Sequence, residues 1–268
     1  MNMNDEHLKT ISDLDRAYVK EVLIEAVASV LRVSEFDVTS KGKQDIVTNL
    51  DFEMERLIKK RLLDRFPNDR FIGEEENHET LGNGRTWVCD PIDGTLNFTQ
   101  NIPYYGVQLA LMVHASPVMS MIYLPELGEF YEATKGCGAT LGGKKLVTPG
   151  EVNLERVVVT FGDFSKSNPS SRGFQIKAME ALLGKAMRIR IQGASSVDFA
   201  FVSAAKNGCH IIFSKNLWEM APGTMLAEES GCKLHRISGE KHGFEGEALI
   251  VAINVSILNE VVSILEAL

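Results

Sequence analysis

Trp87-Val88-Cys89-Asp90-Pro91-Ile92-Asp93-Gly94-Thr95 reads as a short buried strand that runs into two aspartates and turns through glycine into Thr95. Carboxylates this close on a tight turn repel each other unless a positive charge sits between them. A hard divalent cation meets that need, because Mg²⁺ takes oxygen ligands and requires only one or two carboxylates besides water and phosphate. Just upstream, Gly73-Glu74-Glu75-Glu76 adds further acid. Together the two stretches point to a carboxylate-built metal site for phosphate chemistry.

The segments around this turn give the architecture. Apolar positions at helical spacing over 8–33 predict one long amphipathic helix, or two, followed by a loop at Ser40-Lys41-Gly42-Lys43-Gln44-Asp45. A second helix is predicted over Leu50 to Phe66, stopped by Pro67-Asn68-Asp69, and a strand at Arg70-Phe71-Ile72 leads into the glutamates. Beyond the turn, β-rich runs at 106–113, 118–123, 129–133 and 139–141 predict an antiparallel meander. The second half alternates. Strands are expected at 156–161, 187–191, 209–213, 232–236 and 248–252, and helices at 172–183, 194–207, 219–230 and 255–267. Such sheets need helices on their faces, so layered α and β elements are expected.

The 268 residues suffice for one large domain or two small ones, with an ordinary 44% apolar fraction. A net charge of −8 argues against a general nucleic-acid or anionic-membrane binder. It also sets a problem for an anionic substrate, which bound cations solve by reversing the local charge. The four cysteines, Cys89, Cys137, Cys209 and Cys232, form no C-x-x-C pair and read as reduced thiols. The six histidines show no zinc-ligand spacing. The first residues are polar and acidic, unlike a signal peptide, and no apolar run reaches spanning length, so a cytoplasmic location is the expectation.

Asp90 and Asp93 have a bland alternative as turn and cap residues. The glutamates upstream and the Trp-led strand in front weigh against it. Pro91 and Ile92 break the alternation of an EF-hand loop. Pro91 also occupies the nucleophile position of the D-x-D-G-T motif, so no aspartyl-phosphate forms there. The phosphate-binding G-x-x-x-x-G-K-[ST] loop is absent.

The ordered blocks Asp45 to Asp51, Gly73-Glu74-Glu75, Trp87 to Phe98, Gly193-Ala194-Ser195 and Trp218 to Gly223 resemble the inositol monophosphatase family of Mg²⁺-dependent, lithium-sensitive phosphatases. The resemblance spans nearly the whole chain, and D-P-I-D-G-T-x-N-F is its most specific element. It implies an α/β, or α+β, layered αβαβα sandwich of the inositol monophosphatase / fructose-1,6-bisphosphatase type. Residues 1–268 would form one domain, with halves of roughly 1–150 and 151–268 around a cleft.

The implied roles follow residue by residue. Glu74 and Asp90 would ligate a first metal with the Ile92 carbonyl, and Asp90 would bridge to a second completed by Asp93 and Glu219, with two or three Mg²⁺ per subunit in all. The backbone amides of Gly94 and Thr95 would hold phosphate, and Gly193, Ala194 and Ser195 would line the substrate site. Asp51 would orient the Thr95 hydroxyl, which would position the attacking water alongside Glu74. Lys41 matches the lysine loop that closes near the metals. Members are commonly homodimers, so the resemblance implies one here, with no nucleic-acid or membrane partner.

Two positions depart from the family pattern. Glu219 stands where aspartate is usual, one methylene longer. Ile212, six residues before Trp218, replaces the glutamate that reads sugar hydroxyls in inositol-specific members. Inositol 1-phosphate is therefore the nominal substrate. Fructose 1,6-bisphosphate, NADP and 3′-phosphoadenosine 5′-phosphate are alternatives if Lys215 meets a second anionic group. A non-catalytic regulator that keeps the fold is the rival of a different class.

Overall fold

The computed structural model describes residues 11–31, 35–42, 45–76, 80–165, 168–243 and 246–268. Helix α1 (Asp13–Val30) begins where the Ser12 hydroxyl accepts the Asp15 amide proton, with Asp13 and Asp15 in the first turn, where the helix dipole favours acid. It lies within the span 8–33 read as one helix or two, of which 8–10 and 32–33 lie outside the described residues.

The expected loop at 40–45 is instead part of an antiparallel pair, β1 (Val38–Gly42) and β2 (Asp45–Thr48), with Lys43 and Gln44 outside the described residues. Every residue of β1 is exposed, so no apolar alternation marks it in sequence. Helix α2 (Asn49–Arg65) follows directly. Its capping box uses Thr48 and Asp51, and Asp51 Oδ2 accepts from the Thr48 amide at 2.8 Å and hydroxyl at 2.6 Å. The buried stripe of α2 holds Leu50, Met54, Ile58 and Leu62, and also two acids, Asp51 and Glu55.

A seven-stranded sheet runs in chain order: β3 (Arg70–Gly73), β4 (Arg85–Asp93), β5 (Gly106–Val113), β6 (Ser116–Leu124), β7 (Glu129–Thr134), β8 (Gly138–Leu141) and β9 (Lys144–Lys145). β3 pairs parallel with β4, and the rest form the expected meander. Helices α1 and α2 cover one face.

The second sheet joins β10 (Val158–Phe161), β11 (Arg188–Ile191), β12 (Cys209–Ile212), β13 (Lys233–Ser238) and β14 (Glu247–Ala252) in the order β11-β10-β12-β14-β13. Helices α5 (Ser195–Ser203) and α6 (Leu217–Ser230) lie between the two sheets, and α4 (Pro169–Leu182) and α7 (Val255–Glu266) pack on the outer face of the second. The result is the layered αβαβα sandwich.

Helix α6 starts two residues earlier than the 219 read from sequence, and Pro222 lies inside it. A proline there removes one backbone donor from the helix. The Pro222 carbonyl is nonetheless held, accepting from the buried Ser120 hydroxyl of β6 at 2.7 Å. That bond pins α6 to the first sheet beside the turn of interest.

Strand β4 is buried from Thr86 to Asp93 and bulges between Asp90, which opposes Gln108, and Asp93, which opposes Gly106. The chain then enters the short helix α3 (Thr95–Thr99) through Gly94 at φ +88°. A Cβ there would sit 2.9 Å from that of Ala194 and 3.1 Å from the Tyr104 carbonyl oxygen. Strain and contact therefore act together against any side chain. Gly94→Ala is expected to lower unfolding free energy by about 2–4 kcal/mol, from left-handed strain plus overpacking. Denaturant titration checks this, and a loss below about 0.5 kcal/mol, the range of an ordinary surface change, would show that the turn relaxes freely.

Candidate active site

Four carboxylates meet where the first sheet faces the α5 and α6 N-termini. Asp90 comes from the end of β4 and is 1% exposed, while Asp93 follows the bulge and is 8% exposed. Glu74 leaves the end of β3, and Glu219 stands in the first turn of α6. Glu74, Asp93 and Glu219 are close enough to Asp90 for their charges to raise its pKa. Burial holds Asp90 well above the carboxylate range, and the charges of Glu74, Asp93 and Glu219 add to the effect. Burial likewise pushes Asp93 up to about 6 and Glu219 to about 7.

The protein supplies each acid with a donor. Lys41 Nζ lies 3.2 Å from Glu74 and 2.5 Å from Glu75. Asp93 receives the Ser196 amide at 2.6 Å and the Ser195 hydroxyl at 3.2 Å, at the N-terminus of α5. Gln108 Nε2 lies 3.4 Å from Asp90 Oδ2 and 3.0 Å from Ser195 Oγ. Asn216 Nδ2 donates to Glu219 at 2.7 Å. Among the described residues, no three such side chains stand close enough together to hold an ion.

The donor set nonetheless fits a hard divalent cation. All four groups are oxygen ligands, their charges oppose one another, and the buried Asp90 Oδ1 has no hydrogen-bond partner. The Ile92 carbonyl lies in the same turn, 3.0 Å from the Thr95 hydroxyl.

The cleft in front of these acids has a volume of about 390 Å³. Glu74, Asp93, Glu219, Gly193, Ala194, Ser195 and Lys215 line it, as do Ile212 and Asp163. Asp90 sits beneath this surface, and Thr95 lies beside it, with its hydroxyl 3.2 Å from Asp51 Oδ1. Ser195, expected on the substrate side, spends its hydroxyl on Asp93 and Gln108. Ile212 is 4% exposed and presents only hydrocarbon to the cleft.

Three neighbours of the site are not marked by any motif. Gln108 carries a weaker signal: it is the one amide in the otherwise apolar run from Gly106 to Val113, every residue of which is buried. Asp198, which also lines the cleft, and His210 form a buried pair, joined through Thr160. The Thr160 hydroxyl is 2.9 Å from His210 Nδ1, and Asp198 accepts from Gln192 at 2.7 Å. Burial keeps His210 neutral, with its pKa down to about 3, and raises Asp198 to about 8. Nothing in the spacing of these two residues distinguishes them.

This sandwich is the fold of the inositol monophosphatase and fructose-1,6-bisphosphatase group. A solved IMPase from Thermotoga maritima matches it with a TM-score of 0.80 at 26% identity, covering 96% of this chain and 98% of that one. The chain belongs to the inositol monophosphatase family, whose profile matches residues 6–266. The inositol-1-monophosphatase of Caulobacter vibrioides is 30% identical over 238 residues, covering 88% of this chain and 93% of its own length. A protein named Nus factor SuhB, from Xylella fastidiosa, is 31% identical over 195 residues, or 72% of this chain and 70% of its own.

The raised pKa values make stability depend on pH. The folded protein holds protons on Asp93 (about 6) and Glu219 (about 7) more tightly than the unfolded chain does near 4. Their stabilising contribution is therefore complete below pH ~4 and is lost as pH rises through 6 to 7. A cation that binds the ionised set opposes this loss. Added Mg²⁺ is expected to raise Tm more at pH ~8 than at pH ~5.5 in thermal-shift measurements. An equal rise at both values would mean that these acids do not take the ion.

Proposed function

We propose that the protein hydrolyses a small phosphate monoester by direct attack of water, with two or three Mg²⁺ per subunit. The observation that carries this reading is the set of four mutually repelling carboxylates, with an unpartnered Asp90 oxygen, placed beside the Thr95–Asp51 pair. Glu74, Asp90 and the Ile92 carbonyl would hold one cation, and Asp90, Asp93 and Glu219 another. Bound Mg²⁺ supplies charge neutralisation for phosphate and lowers the pKa of a water.

The chain's own groups do the rest. The amides of Gly94 and Thr95 orient the phosphate. The Thr95 hydroxyl accepts a proton from the attacking water and passes its own to Asp51 Oδ1, 3.2 Å away. Asp51 Oδ2 is fixed by Thr48, so Oδ1 stays aimed. Burial raises the Asp51 pKa, which favours the protonated form this step produces. Lys41 lies over Glu74 and Glu75 and would move off Glu74 as a cation arrives.

Inositol 1-phosphate is the nominal substrate by family. Two observations favour a sugar bisphosphate or phosphorylated nucleotide instead. Ile212 offers no acceptor for ring hydroxyls, and Lys215 lines the same cleft, where a second phosphate would find it. The contribution of both sheets to the cleft supports treating 1–268 as one unit. Four free cysteines suit a reducing, cytoplasmic setting. A homodimer follows from the family, and the exposed apolar Met187 and Ile191 at edge strand β11 suit a covered surface. The similarity to a Nus factor keeps a regulatory role as the rival reading.

Phosphate release is expected from at least one of inositol 1-phosphate, fructose 1,6-bisphosphate, NADP, 3′-phosphoadenosine 5′-phosphate and histidinol phosphate, and EDTA should abolish it. No release at any Mg²⁺ concentration would favour the regulator. Lys215→Ala is expected to raise KM for a bisphosphate roughly 10-fold or more, as loss of a charged contact does, and to leave monophosphates unchanged. Equal effects on both would remove Lys215 from recognition. Thr95→Ala should lower kcat by about 10²–10⁴ with little change in KM, the usual range for a proton-transfer group. A normal kcat would exclude the Thr95–Asp51 step.

A further inference from the structure

The geometry points to Glu55 as the residue that positions Glu74. This rests on the reading of Glu74 as a metal-binding carboxylate. Glu55 is fully buried on α2, one turn beyond Asp51. Its Oε2 accepts the Glu75 amide at 2.7 Å, and its Oε1 accepts the Glu76 amide at 3.1 Å. The carboxylate therefore holds the two backbone donors that follow Glu74, which fixes the direction in which the chain leaves β3.

Residue 73 carries an independent mark of the same contact. A Cβ on Gly73 would lie 2.2 Å from the Glu55 carboxyl carbon and 2.3 and 2.5 Å from its oxygens. The absence of a side chain lets the buried carboxylate press against the backbone at the point where Glu74 begins. Acid placed this deep is costly, and two backbone amides are the donors that make it tolerable. Glu55 touches neither the cleft nor any reacting atom, so it acts through Glu74 and is a positioning residue.

The placement on α2 has a mechanical consequence. Asp51 and Glu55 stand on the same face of one helix. The first aims the Thr95 hydroxyl, and the second aims Glu74. The nucleophile-orienting pair and one proposed metal carboxylate thus take their relative position from one rigid element rather than from two loops. Outer partners of this kind commonly carry a roughly 10- to 100-fold effect on metal affinity.

Glu55→Gln tests the assignment, because it preserves volume and replaces one acceptor with a donor that faces a backbone N–H. In metal-free protein, hydrogen exchange at the Glu75 and Glu76 amides is expected to accelerate about 10-fold. Calorimetric titration should show Mg²⁺ or Mn²⁺ binding about 10-fold weaker, with half-saturating Mg²⁺ for phosphate release rising in step. KM for substrate at saturating Mg²⁺ should stay within about twofold, since Glu55 does not face the cleft.

Asp69→Asn is the control. Asp69 is a part-buried acid that accepts from Arg85 and Trp87, away from the carboxylates, and its loss should lower Tm without altering metal affinity. Glu55→Asp keeps the charge and serves if the glutamine variant does not fold, with the same effects at smaller size. A Tm loss with unchanged amide exchange and metal affinity, as in the control, would overturn the assignment. Accelerated exchange in Glu55→Gln, alongside a wild-type protein that neither binds Mg²⁺ nor hydrolyses any ester, would uphold Glu55's hold on the turn and sink the metal reading instead.

Discussion

Repulsion among Glu74, Asp90, Asp93 and Glu219 is the constraint from which much of this structure can be understood. Acids gathered this closely cannot all be charged without help, and burial, joined by their mutual charge, holds Asp90, Asp93 and Glu219 above the usual carboxylate range. The fold answers with one donor system per acid: the Lys41 ammonium, the α5 N-terminus, the Gln108 amide and the Asn216 amide. None of these fully offsets the charge. Lys41 divides its charge between Glu74 and Glu75, and the neutral donors to the other acids stabilise a carboxylate less than a full positive charge does, so the set favours a cation. Asp90 is the sharpest case, because one oxygen is supported by a long contact from Gln108 and the other has no partner.

Bringing four acids together requires elements that end at the same place. β3 and β4 run parallel and deliver Glu74 and Asp90 from neighbouring strand ends. The bulge after Asp90 lets Pro91 and Ile92 loop out of register and returns Asp93 to the ladder opposite Gly106. From the other side, α5 brings its N-terminal amides to Asp93 and α6 brings Glu219. The middle helical layer is thus both packing between two sheets and one wall of the site. The Ser120 bond to Pro222 and the packing of α6 on β4, β5 and β6 make that wall rigid where the helix loses a backbone donor.

Most of the fold is legible in the sequence because its strands and helices carry strong periodicity and clear stops. The D-P-I-D-G-T turn marks the carboxylates because acids clustered at the end of a buried strand are too costly to keep unless a cation binds them. What the sequence hides follows a common logic. The β1–β2 pair is exposed along β1, so it has no apolar signature. Pro222 falls inside the helix because α6 starts at Leu217, two residues before the 219 read from the sequence. The bond from the Ser195 hydroxyl to Asp93 joins distant parts of the chain, so no local pattern marks it. Glu55 is visible in principle, since an acid in the apolar stripe of α2 one turn after Asp51 is out of place on a purely structural helix.

Glu219 shows how position and length trade against each other. In α6 it is the third residue after Asn216, close enough for the Asn216 side chain to reach its carboxylate. The extra methylene relative to aspartate gives reach, and reach without restraint carries an entropic cost on ordering. The Asn216 bond supplies restraint, holding the longer side chain back toward the helix start. The start of α6 is in turn set against the first sheet by Ser120 and Pro222. A longer acid is therefore compatible with a fixed carboxylate position because its flexibility is taken up by a neighbour on the same turn. The departure at residue 219 is absorbed locally, whereas the apolar Ile212 cannot supply the acceptor that ring hydroxyls would need. Of the two positions, Ile212 sets hydrocarbon into the cleft wall, and Glu219 keeps an acid among the carboxylates.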